Sequence, residues 1–118
     1  MTVRKIKDIL EAYVITGETQ LETEVFSACG SDMMSDVLAY VKEQSVLLTG
    51  LINPQVVRTA QMMDMHCIVF VRGKQPDKEV INLAKDYGIV LLGTTQRMFT
   101  ACGLLYEHGL HGGTLKNG

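Results

Sequence analysis

Charge of one sign is the first thing this sequence lacks. Eleven Lys and Arg stand against thirteen Asp and Glu in 118 residues, a net charge of -2. Nucleic-acid surfaces draw on a basic face. The basic residues here are scattered, so neither a nucleic-acid nor a membrane partner is expected. Cysteine is also scarce. Cys29, Cys67 and Cys102 are too few and too far apart for a disulfide framework, and an odd count suits a reducing compartment. Long apolar runs are missing too. None approaches the ~20 residues of a membrane span. The first residues run straight into a charged amphipathic pattern rather than a signal peptide. Cytoplasmic location is the expectation.

The familiar chemical motifs are absent as well. There is no G-x-x-x-x-G-K-[ST] and no G-x-G-x-x-G. A G-x-S-x-G elbow is missing. His66-Cys67 and the pair His108 and His111 do not match zinc spacing. No cofactor, no metal and no catalytic activity are therefore expected.

What is present is ordinary globular composition, 47% apolar and 20% charged. A chain of this length buries roughly two-thirds of its unfolded surface, enough for one core. One domain over 1–110 is expected, with 111–118, holding three glycines, as a flexible tail.

Three short apolar runs repeat: Val46 to Thr49, Cys67 to Val71 and Ile89 to Leu92. Continuous apolarity suits strands covered on both faces, as in a parallel sheet. A turn and a helical pattern follow each run. Asn53-Pro54 is a cap followed by proline at the first helical position, with Val56, Ala60 and Met63 on one face. Pro76-Asp77 opens the next helix, with Val80, Ile81 and Ala84 inward, and Gly88 closes it. Thr95 is expected to cap a last helix whose stripe is Met98, Phe99, Cys102, Leu105 and Tyr106, ended by Gly109. Upstream, Glu24 to Cys29 reads as a strand, Gly30-Ser31 as its turn, and Asp32 to Val41 as its helix, with Met33, Val37, Leu38 and Val41 inward. A first helix carries Val3, Ile6, Ile9 and Leu10, and Tyr13 to Ile15 reads as a further strand with Gly17 in its turn. Alternation of this kind implies a three-layer α/β/α fold with a mostly parallel sheet built from repeated strand–helix units.

Ligands of open parallel sheets bind at the carboxyl ends of the strands. Those ends hold the candidate ligand-binding residues Gly30, Ser31, Asp32, Thr49, Gly50, Asn53, Arg72 and Thr94. Helix N-termini present free N–H groups to a phosphate or carboxylate there, and Arg72 and Lys74 add positive charge. Each small polar residue also has an ordinary role in a turn or cap. Asp32 at a helix start suits the helix dipole. Cys29 stands between a strand and a helix start, where a thiol can be acidified, but a small buried cysteine is the simpler reading.

Val46-Leu47-Leu48-Thr49-Gly50-Leu51 with Asn53-Pro54-Gln55-Val56-Val57 resembles the central segment of DRTGG domains. Gly30 to Ala39, with the pattern G-x-D-x-x-S-D-V, does too, as does Gly93-Thr94-Thr95 with Met98-Phe99. The resemblance runs from Lys5 to Leu110. The family's second glycine is replaced here by Leu51. DRTGG domains resemble the N-terminal domain of HPr kinase/phosphorylase and occur beside CBS domains in regulated pyrophosphatases. The resemblance implies an α/β/α fold, pairing into a homodimer and a non-catalytic regulatory role, with no kinase activity because the P-loop is missing. The functional expectation is a module sensing an anionic metabolite or nucleotide. The alternatives are a protein-interaction scaffold with no small ligand, or an enzyme using Asp32, Thr49 and Arg72.

Overall fold

The computed structural model describes residues 1–40 and 44–112. Its elements, in chain order, are α1 (Val3–Leu10), β1 (Tyr13–Thr16), β2 (Ser27–Gly30), α2 (Met34–Tyr40), β3 (Ser45–Thr49), α3 (Pro54–Met62), β4 (Cys67–Phe70), α4 (Lys78–Tyr87), β5 (Val90–Gly93) and α5 (Met98–Glu107). They form one five-stranded sheet of order β1-β5-β4-β3-β2. β2 to β5 are parallel. β1 joins β5 antiparallel, with Tyr13 opposite Gly93.

Successive right-handed crossovers that step in one direction put their helices on one face. α2, α3 and α4 accordingly share a core with Leu47, Ile68, Phe70 and Leu91. α1 and α5 cover the other face over Val46, Leu48, Val69 and Leu92. The strand side chains alternate between these cores, as a two-sided strand requires. The three-layer expectation is met, and the three continuous apolar runs are the three interior strands.

Caps fix the helix starts. The Asn53 side chain accepts from the Val56 amide at 3.3 Å, and Pro54 follows it. Asp77 accepts from the Val80 amide at 3.2 Å. Gly88 closes α4 with φ of 70°, a conformation glycine adopts without strain.

Local expectations in α2, α5 and β2 need correction. α2 begins at Met34 rather than Asp32, and its inward residues are Met34 and Val37, while Met33 and Leu38 are exposed. Ser31 and Met33 form a hydroxyl turn, with the Met33 amide 2.9 Å from Ser31 Oγ, which delays the helix. Val41 lies outside the described residues. Thr95 does not cap α5; Arg97 holds that position without a side-chain bond. In α5 the buried residues are Ala101 and Leu105, whereas Phe99 and Tyr106 face outward. That helix is apolar nearly all round, so periodicity cannot choose its inner face. β2 spans Ser27–Gly30 rather than Glu24 to Cys29, and Glu24 contributes an isolated antiparallel bridge to Thr2 instead.

At the end of the described chain the His111 carbonyl accepts from the Ala28 amide at 2.8 Å, covering part of the β2 edge. The rest of the expected tail, 113–118, lies outside the described residues.

Candidate ligand site at the strand ends

Four turns meet at the carboxyl ends of β2 to β5. The β2–α2 turn supplies Asp32. Its Oδ1 accepts from the Gly50 amide at 2.7 Å and from the Thr49 hydroxyl at 3.0 Å. Its Oδ2 lies 3.5 Å from Arg72 Nη1. The Gly50 amide bond, opposed by partial burial and aided by Thr49 and Arg72, holds the Asp32 carboxyl below its ordinary value. Asp32 is thus an ionised acceptor that ties the β2 turn to the β3 turn.

Arg72 reaches this carboxylate from the end of β4, across the end of β3. A side chain at Gly50 would take the space of the guanidinium: its Cβ would stand 2.6 Å from Arg72 Cζ. Glycine serves close approach of the guanidinium here rather than a special backbone angle, and a larger residue would have to displace Arg72. Leu51, where the family has glycine, needs no such freedom, since it is not among the described residues with positive φ. Arg72 itself has φ of 61° and Gly73 φ of 70°. The left-handed turn they make is bonded to the next loop. The Arg72 amide donates to Gln96 O at 2.8 Å and the Gly73 amide to Thr94 O at 2.9 Å. The chain leaves β4 toward one face and β5 toward the other, so the crevice of an open α/β sheet is expected between them. These two bonds close it.

The remaining candidates are placed differently. Thr49 is fully buried, and its hydroxyl also accepts from the Leu51 amide at 3.1 Å. Asn53 is occupied as the α3 cap. The Thr94 hydroxyl is buried and donates to Leu10 O at 2.9 Å, anchoring α1. The Ser31 hydroxyl stays within its own turn. Gly30 packs beneath α5, where an added Cβ would stand 2.6 Å from Cys102 Sγ. The structure therefore brings together Asp32, Thr49, Gly50 and Arg72, and puts Asn53 and Thr94 into scaffold roles. Sequence reasoning missed Gly73 and Gln96, which act through backbone atoms. The Arg-Gly-Lys run was the available signal for the turn.

Cys29 is half-buried, and its thiol is pushed up by burial first, then by Cys102 and Asp36. No acidified thiol results. Among the described residues no three of His, Cys, Asp and Glu gather where a metal ion could sit. No helix among them is long and apolar enough to cross a membrane.

The model of the DRTGG domain matches residues 5–107. The chain belongs to the DRTGG domain family. No curated protein matches this DRTGG domain. Among solved structures it is similar to the CBS and DRTGG domains of the regulatory region of Clostridium perfringens pyrophosphatase, complexed with the activator diadenosine tetraphosphate, at a TM-score of 0.73 and 22% identity. The match covers 88% of this chain and 45% of that one. This DRTGG domain therefore spans less than half of that regulatory chain, and the likeness is one of fold.

Proposed function

We propose that this DRTGG domain is a non-catalytic regulatory module that senses a small phosphate-bearing anion, such as a nucleotide, and works as a homodimer in the cytoplasm. The observation that carries the reading is the Arg72 guanidinium. It lies over the bare Gly50 backbone, half-open to solvent, held to Asp32 by one long ion pair of 3.5 Å. A phosphate offers that guanidinium a bidentate grip stronger than the contact it replaces. Losing Arg72 would leave the Asp32 carboxylate held by the Gly50 amide and the Thr49 hydroxyl alone, and the loosened turn into α2 converts binding into a conformational signal. Membership of a family that includes the nucleotide-activated pyrophosphatase region supports the ligand class.

Catalysis is not favoured by this cluster. Asp32 already accepts two hydrogen bonds, and the Thr49 hydroxyl has both a donor and an acceptor role filled.

Calorimetric titration with diadenosine tetraphosphate, ATP and inorganic phosphate tests the reading. Binding of at least one, weakened at least tenfold in Arg72→Ala, is expected, since about 1.5–3 kcal/mol attaches to a charged hydrogen bond. No binding, or binding equal in the variant, overturns it.

A further inference from the structure

The outer face of α5 is apolar, and the other described residues leave it largely exposed. Phe99 is 89% exposed and Tyr106 62%. They lie two turns apart on one side of the helix, with Gly103 between them. Among the described residues nothing lies within 4 Å of the place a Gly103 Cβ would take, so the helix backbone is bare of them at that point. Tyr106 is already held in position by stacking on His111, with ring centroids 4.1 Å apart. Preordering of this kind lowers the entropy cost of a contact. Between Met98 and Tyr106 α5 carries no charged residue. Its ends are charged: Arg97 immediately before it and Glu107 as its last residue. Among the described residues neither is in an ion pair.

We propose that α5 is the pairing helix of the homodimer, laid antiparallel against a second copy of itself about a twofold axis near Gly103. A twofold interface must be self-complementary: if one residue meets another, the second meets the first. The order along α5 satisfies that condition. Positive and negative ends lie at similar distances from Gly103, as do the two aromatics. Antiparallel pairing sets Phe99 against the partner's Tyr106 and Arg97 beside the partner's Glu107. Gly103, at the crossing, lets the two backbones approach. Parallel pairing would instead set like charges together at both ends. One helix face of this length falls short of the ~800 Å² per partner of a standard interface. The pair is accordingly a reversible one.

The inference deepens the dimer in the proposed function and is independent of the ligand. Sedimentation equilibrium up to about 200 µM tests it, over a range suited to a weak interface. The wild-type chain should self-associate. Phe99→Asp should weaken association about thirtyfold or more, the scale of a lost aromatic anchor. Arg97→Glu and Glu107→Arg should each weaken it, and the double reversal should restore it to within about threefold of wild type, because rim pairs contribute little beyond their sign. All these positions are on the surface, and unchanged circular dichroism checks the fold. A monomer at every concentration overturns both this inference and the dimer. A dimer indifferent to Phe99→Asp overturns the α5 assignment alone. Loss at both single reversals without recovery in the double overturns the antiparallel arrangement.

Discussion

The guanidinium of Arg72 occupies the space that a side chain at Gly50 would need, and from there it reaches Asp32. Three turns that are distant in sequence are tied by that overlap. Most of the behaviour expected of the site follows from it.

Gly50→Ala should push Arg72 away from Asp32. The displaced atoms are the far end of a flexible side chain, so the loss of stability should be about 1 kcal/mol or less. The NMR titration of the Asp32 carboxyl would register the missing guanidinium as a rise toward the ordinary value. A crystal structure retaining the Asp32–Arg72 contact in the variant would refute the expectation.

Asp32→Ala removes the acceptor of the Gly50 amide and the Thr49 hydroxyl. A loss of about 1–2 kcal/mol is expected, toward the low end for charged hydrogen bonds because the carboxylate is partly exposed. Its pH dependence has a definite sign. A carboxyl held below its unfolded value stabilises the fold above that value, and the contribution disappears as pH falls through the folded one. Wild type and Asp32→Ala should therefore differ by a constant amount at neutral pH and converge in acid below about pH 4. Urea unfolding at several pH values measures the gap.

Arg72→Gly separates charge from conformation. Arg72 sits at φ of 61°, where a side chain costs about 1–2 kcal/mol and glycine costs nothing. The variant should be as stable as wild type or slightly more so, while losing anion binding. A stability loss above about 1 kcal/mol would mean that the ion pair to Asp32 contributes more than its exposure allows.

Burial pushes the Cys67 thiol up to about 12. Native-state alkylation at pH 8 should spare Cys67 until the chain unfolds, while half-buried Cys29 and Cys102 react slowly. Above the ordinary thiol range the unfolded chain gives up the Cys67 proton while the folded chain keeps it. Stability should then fall as pH rises toward 12, by roughly 1.4 kcal/mol per unit for that group. Rapid labelling of native Cys67 would contradict its placement in the core.

Much of the scaffold was legible because its signals are local. The runs at Val46, Cys67 and Ile89 are apolar on both faces, and the Asn53-Pro54 and Gly88 signals mark helix ends by backbone chemistry alone. The strand-end location of the polar turns followed from topology. Partner choice did not. Thr94 bonds to Leu10 across 84 residues, and nothing near Thr94 announces that. The two-residue delay in the start of α2 came from the Ser31 turn, a competition between a hydroxyl and the helix for the same amides. The outward turn of Phe99 was hidden by the uniform apolarity of α5.

The Arg72–Gly73 turn has a consequence for rates. Its two amides, bonded to Gln96 O and Thr94 O, bolt the mouth between β4 and β5. A molecule entering there waits for the bolt to slide, so its observed association rate should level off at a fixed ceiling as concentration rises. A molecule that settles on the outer side of Arg72 meets no such delay and should associate ever faster with dose. Stopped-flow traces thus tell which side of one backbone turn a ligand touches.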